Sequence, residues 1–328
     1  MKAEARLWTN GPVCRIVVLA FAACSVLVAA PTEAAISLNG QVLGAGAPIA
    51  NSIVTLFAAS AGAPKQLAQA RTSADGRFVI AVSDTPGANT SLYLVAQGGR
   101  VKATNASGDN PAIALMIVLG SAHPKRVTIN EMTTVASVWT HAQFIEGSAI
   151  SGNALGLRIA AGNVPNFVDL ATGGYGKAIQ DPLNSTQTPA LANFGSLSNV
   201  LAGCVTRVKA DACDSLFAAS TPPNGKVPTD TLMAAQSVAR NAAYKPERLF
   251  ALLDAFYPVP KGKALRDTPY MPYCSVSPSA WILGLKFTGG GLNAPGKIQF
   301  DSEGNAWTGD NFIVGYQSQD SSWDWSRH

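Results

Sequence analysis

The feature that most constrains this chain is a change of hydrophobic period part-way along it. From residue 36 to about residue 119, apolar and polar residues alternate in short runs. Examples are Ile36-Ser37-Leu38-Asn39-Gly40-Gln41-Val42-Leu43, Ile53-Val54-Thr55-Leu56-Phe57 and Phe78-Val79-Ile80-Ala81-Val82, the period-two pattern of half-buried strands. Between residues 128 and 258 the spacing becomes three and four, so that Ile129, Met132, Val135, Val138, Trp139 and Ala142 line one helical face. Strands gathered first and helices second predict a multidomain α+β chain.

Runs at 91–96 and 113–119 bring the strand count to about six or seven, enough for a small β-sandwich over residues 36–120. Asp75-Gly76, between the runs 68–72 and 77–82, predicts a two-residue hairpin, because such a turn needs positive φ and Asp-Gly adopts it at little cost. In the helical part, Thr128-Ile129-Asn130-Glu131 reads as a capping box. Further helices follow at 189–205, 211–219, 229–241 and 246–256, with Thr229 and Pro246 marking two of the starts. The Ala-rich run 232–239 implies close packing, giving an α-helical bundle of about five helices over residues 128–260.

At 328 residues, 47% hydrophobic and 13% charged, the chain can fill two or three ordinary cores and is neither disordered nor a coiled coil. The net charge of +4 is small. Lys125-Arg126 and the Lys261, Lys263, Arg266 group come nearest to a basic patch. Without an aromatic platform they read as solvated loops, and no nucleic-acid partner is expected.

Residues 1–35 hold Lys2, Arg6 and Arg15, an apolar run over 16–30, then Ala34 and Ala35. This order predicts a secretory signal peptide and a secreted or periplasmic protein. The run of about fifteen residues is short of the roughly 20 a spanning helix needs, so no membrane span is expected in the mature chain. Phe21-Ala22-Ala23-Cys24-Ser25 offers a second reading, a lipid-anchored Cys24, against which the apolar run continues past the cysteine. Cleavage would leave Cys204, Cys213 and Cys274 in an oxidising compartment. Cys204 and Cys213 flank a polar connector between apolar segments, which suits a local disulfide.

Chemistry-bearing motifs are sparse. His141 and Glu146 suggest an acid/base pair, but a histidine at the polar margin of an amphipathic helix explains the position as well. Neither G-x-S-x-G nor H-E-x-x-H occurs. Gly225-Lys226 and Gly262-Lys263 are not followed by Ser or Thr, which removes the phosphate-loop reading. No catalytic residue, metal or cofactor is expected. Residues 147–181 mix Asn153, Arg158, Asn163, Asn166, Asp169, Tyr175, Gln180 and Asp181 with glycines, a pattern of binding loops and equally of turns and caps. Arg158 is the foremost binding candidate, with Asp169 or Asp181 as its expected partner.

Two resemblances add to this reading. Leu38-Asn39-Gly40-Gln41-Val42, Ala47-Pro48-Ile49-Ala50-Asn51-Ser52-Ile53-Val54-Thr55-Leu56-Phe57 and Thr72-Ser73-Ala74-Asp75-Gly76-Arg77-Phe78 resemble the carboxypeptidase regulatory-like domain. That resemblance implies a non-catalytic Ig-like sandwich serving as spacer or adhesion module. Near the end, Ile298, Asp301, Gly304, Asn305, Trp307 and Asp310 match the "I-x-x-D-x-x-G-N-x-W-x-x-D" repeat of NHL-type and streptogramin-lyase-type β-propellers. Sandwich, helical region and repeat together resemble uncharacterised bacterial secreted proteins with such a propeller.

A lone repeat cannot bury its own apolar face. The expectation is therefore an incomplete propeller blade over residues 278–316 and an irregular tail at 317–328, the chain ending before a second repeat. Ile298, Phe300, Trp307, Phe312 and Ile313 would then be exposed, leading either to packing on the helical region or to association. Residues 281–287 could supply a neighbouring strand. The whole reads as an exported, non-enzymatic binding or scaffold protein whose partner is an unknown envelope protein or glycan. The alternative is a fragment of a propeller-type lyase or lactonase.

Overall fold

Strands lead the chain. The computed structural model describes residues 36–82, 87, 89–102, 107–122, 124–223, 225–288 and 295–310. The signal-peptide reading, Cys24, Phe312, Ile313 and the tail lie outside the described residues.

Nine strands come before the first helix: β1 (Ile36–Gly44), β2 (Ala47–Ala50), β3 (Ile53–Ala59), β4 (Lys65–Arg71), β5 (Arg77–Val82), β6 (Ser91–Gln97), β7 (Arg100–Val101), β8 (Ala114–Gly120) and β9 (Arg126–Ile129). One sheet has the order β5-β1-β2-β7, with β9 running parallel to β1 on its free side. The other is antiparallel, in the order β4-β3-β6-β8. Alternation puts Leu38, Val42, Phe78 and Ile80 of the first sheet in one apolar cluster with Val54, Leu56, Leu94 and Ile117 of the second.

The hairpin expected at Asp75-Gly76 does not form. β4 pairs with β3 and β5 with β1, so this turn carries the chain from one sheet to the other. Thr72 exchanges backbone bonds with Asn51 and Ser52, which ends the β3–β4 ladder, and the Gly76 carbonyl then accepts Val42 N–H. The glycine is still required: φ is +74°, and a Cβ there would sit 2.6 Å from the Val42 carbonyl oxygen.

Helices follow as α1 (Glu131–His141), then a small hairpin of β10 (Ile145–Glu146) and β11 (Ala149–Ile150), then α2 (Ala154–Phe167), α3 (Lys177–Gln180), α4 (Pro182–Ser185), α5 (Ala190–Val205), α6 (Ala212–Ser220), α7 (Thr231–Arg240) and α8 (Pro246–Phe256). β12 (Pro295–Phe300) and β13 (Ala306–Asp310) form a separate hairpin. Thus the described residues are mixed α+β, with antiparallel sheets and eight helices.

The capping box sits two residues later than expected. Asn130 is the N-cap of α1 and exchanges bonds with Thr133, while Thr128 belongs to β9. The parallel ladder to β1 holds residues 126–129 extended, so the helix starts only where that pairing ends.

β6 and β8 are buried on both faces. Tyr93, Val95, Met116 and Val118 pack with Met132, Val135 and Ala136 of α1 in a second cluster that also holds the helical core. β8 is a sheet edge, and helix hydroxyls close it. Ala114, Met116 and Val118 donate their N–H groups to Thr231, Thr134 and Ser137 respectively. An edge whose donors are filled this way offers no template for a further strand.

α5 is buried along nearly all its length, and its amides do unusual work. Residues 257–288 have no helix or strand, yet Asn199 bonds both the N–H and the carbonyl of Tyr270. Ser196 accepts from Cys274 N–H, and Asn193 donates to the Ile282 carbonyl. Before the helix, Asn184 bonds both backbone groups of Lys286. These side chains replace a sheet ladder, so the strand considered at 281–287 is a laced coil. Trp281 is fully buried within it, donating its indole N–H to the Pro246 carbonyl.

Candidate functional site

Glu131 is the first residue of α1, and both its oxygens are engaged inside the protein. Oε1 accepts Ala45 N–H at 3.0 Å from the β1–β2 turn, and Oε2 accepts the Tyr270 hydroxyl at 2.5 Å. The side chain is fully buried, and burial pushes its pKa from 4.5 up to about 7 against the downward pull of both hydrogen bonds. Burial, then the neighbouring Glu131 charge, hold the Tyr270 phenol well above its ordinary value. Tyr257 donates to the Asn199 carbonyl, and the Tyr175 hydroxyl is sealed in without a partner. Burial raises both phenols. In the sequence Glu131 reads as a capping residue; only the chain returning at residue 270 turns it into a buried carboxyl.

His141 is not at a polar margin. It is fully buried, with Nδ1 3.0 Å from the Ser137 carbonyl and Nε2 without a partner. Burial lowers its pKa to about 4, leaving a neutral ring at ordinary pH. Glu146 forms no pair with it and instead meets Arg240 at 3.0 Å on the surface. Cys274 is a buried free thiol 3.1 Å from Asn193 Oδ1, its pKa raised by burial. Cys204 and Cys213 form the expected disulfide, and Asn110 donates to the carbonyls of Cys204 and Val205 beside it.

The three binding candidates do not converge. Arg158 lies on α2, a helix hidden in the sequence by Gly156, Gly162 and Pro165, and Nη1 donates to the Ser302 carbonyl at 2.6 Å. Asp169 accepts from Thr172 N–H, Ala171 N–H and the Thr172 hydroxyl, bonds that hold its carboxyl below the usual range. Asp181 caps α4 by accepting Leu183 N–H at 2.9 Å. The expected pairing of Arg158 with either aspartate is thus replaced by a bond to the terminal hairpin.

The surface grooves among the described residues include three whose lining holds neither Glu131, His141 nor Cys274. A groove of about 210 Å³ runs past Arg158 between α2 and the end of β8. One of about 450 Å³ is apolar, with Phe144, Ile159, Leu283, Leu285, Phe287 and Phe300 in its walls. The third, about 710 Å³, lies on the outer face of β5, β1 and β9 and is lined by Asn39, Gln41, Arg77, Lys125, Arg126 and Thr172 among others. Its lining holds three cations and no carboxylate. Lys125-Arg126 is visible in sequence, but Arg77 joins it only because β1 lies between β5 and β9. Among the described residues no cluster of three or more His, Cys, Asp or Glu side chains is gathered to hold a metal ion.

No protein-family model matches the chain. No curated protein is significantly similar to it. Among solved structures it is similar to a 9R-lipoxygenase from Cyanothece PCC8801, at 16% identity and a TM-score of 0.20. That alignment covers 60% of this chain and 28% of the lipoxygenase.

Proposed function

We propose that this is an exported, non-enzymatic binding or scaffold protein of the cell envelope or extracellular space. One observation carries the reading. Glu131, His141 and Cys274, buried groups able to move protons or attack carbon, are held in the core by packing and internal bonds. The groove of about 710 Å³ is instead lined by fixed cations, amides, two hydroxyls and apolar side chains, a set that holds a ligand without transforming it. A disulfide suits an oxidising compartment, and among the described residues no helix is long and apolar enough to cross a membrane.

In this reading residues 36–120 are the Ig-like sandwich of a carboxypeptidase regulatory-like domain, followed by a helical domain and one propeller-type repeat. The hairpin supports the second reading, a fragment of a propeller lyase or lactonase. It pairs Ile298 with Thr308 and Phe300 with Ala306, and the Trp307 indole donates to Asp301 Oδ2 at 2.9 Å. The test is turnover by the purified full chain on a panel of lactones and esters. No turnover is expected; turnover abolished by Glu131→Gln or His141→Ala overturns the binding reading.

A further inference from the structure

The outer face of β5, β1 and β9 carries Lys125, Arg126 and the Asn39 amide without a side-chain partner among the described residues, beside Arg77 and Gln41, which both bond Asp75. We propose that this face binds a polysaccharide bearing carboxylate groups, an assignment that rests on the binding-protein reading above.

The pairing register sets the layout. Val79, Asn39 and Arg126 stand in one cross-strand row, and Arg77, Gln41 and Thr128 in the next. Arg77 and Arg126 are therefore two strands and one row apart, about 12 Å by strand geometry. That separation suits anionic groups on successive units of a chain rather than one small anion. Lys125 and Arg126 are exposed and have no carboxylate partner among the described residues. Asp75 pairs with Arg77 through Nε at 3.3 Å, and among the described residues no partner meets the two Nη groups, which can take a planar carboxylate. The nearby Asp169 is turned into its own loop, where its oxygens accept from Thr172 and Ala171 rather than meeting the groove's cations.

Two further observations select the ligand class. Asn39 and Gln41 present amides between the two arginines, and although Gln41 Nε2 donates to the Asp75 carbonyl at 2.8 Å, its oxygen and the Asn39 amide are groups of the kind that bond sugar hydroxyls. The aromatic ring of the groove, Phe78, is buried over Gly40 on the inner side of the sheet. No ring is offered there for stacking a nucleic-acid base, which single-strand recognition relies on. Val79, 62% exposed, supplies a small aliphatic surface in the same row.

The experiment is titration of the full chain with polygalacturonate, with neutral dextran and with single-stranded DNA, at low and high salt. Polygalacturonate binding that weakens with salt is expected, with neither dextran nor DNA bound comparably. The double variant Arg77→Gln/Arg126→Gln should weaken it about tenfold, and the single variant Lys125→Gln measurably, at unchanged melting temperature. Lys209→Gln, remote from the groove in sequence and absent from its lining, should leave binding intact. The proposal is overturned by no polygalacturonate binding, by dextran or DNA binding as tightly, or by Lys209→Gln lowering affinity as much as the groove variants. Those outcomes leave the binding reading standing as long as the chain turns over no substrate, whereas catalysis removes that reading whatever polygalacturonate does.

Discussion

Glu131 and Tyr270 are 139 positions apart in the chain and share a buried hydrogen bond of 2.5 Å. Through that bond and the one to Ala45, one carboxyl ties the β1–β2 turn, the start of α1 and the coil beyond α8 together. Removing one partner of such a set leaves a buried polar group unsatisfied, which costs more than the bond itself contributes.

The proton on Glu131 makes stability pH-dependent. Its folded pKa, about 7, lies above the unfolded 4.5, so the folded state binds the proton more tightly. The stabilisation is fully present below pH 4.5 and is lost as pH rises through 7, about 3 kcal/mol in all. In urea unfolding Glu131→Gln should therefore gain stability relative to the parent as pH rises from 4.5 to 7. An unchanged pH dependence in the variant refutes the assignment.

His141 acts with the opposite sign. Its folded pKa of about 4 lies below the unfolded 6.5, so its contribution is present above 6.5 and lost as pH falls through 4. Between about pH 4.5 and 6.5 the two groups oppose each other. His141→Gln should therefore improve relative stability at acid pH, read as a smaller drop in melting temperature between pH 7 and pH 4.

The Cys204–Cys213 bond closes a loop of sequence separation 9, and chain entropy assigns it about 2.5 kcal/mol. Cys213→Ser should lower stability by that order in denaturant unfolding. Reductant should lower the native protein's stability and leave the variant's unchanged.

Gly195 reverses a propensity rule. Alanine favours a helix interior over glycine by about 1 kcal/mol, yet a Cβ at this point of α5 would sit 2.0 Å from the Pro272 carbonyl oxygen. Because the obstacle is backbone held by Asn199 and Ser196, Gly195→Ala should destabilise by about 2 kcal/mol or more. A melting temperature equal to or above the parent's would show that the 270–274 segment yields easily.

Arg158 holds the terminal hairpin through the Ser302 carbonyl, and Gly304 rests against the Ile159 and Arg158 side chains. Arg158→Ala should leave global stability within about 0.5 kcal/mol. It should speed proteolytic cleavage within residues 295–310. Equal cleavage rates would show that the apolar contact of Phe300 with its groove, and not the arginine, retains the hairpin.

Local signals alone located most elements. Alternation placed β1, β3 and β5, short apolar runs placed β6 and β8, and Pro246 marked the start of α8, because strand and helix signals are properties of neighbouring residues. The Cys204–Cys213 disulfide followed from nearness in the chain. What the tertiary structure alone decided depends on partners far away in sequence. Asp75-Gly76 has hairpin chemistry, but which strands pair is settled by the sheets, so the turn crosses between them. α2 forms despite Gly156, Gly162 and Pro165 because Leu157, Ala161 and Val164 bury against the sheet and α1. His141 and Glu131 look like surface polar residues until later segments cover them, and the asparagines of α5 look like poor helix formers until the 270–288 coil needs their amides. Arg77 and Arg126 come to share one groove only through β1 between them. Side-chain type and period travel with the chain, whereas burial, charge state and cross-strand neighbours are created only when distant segments exclude water from one another.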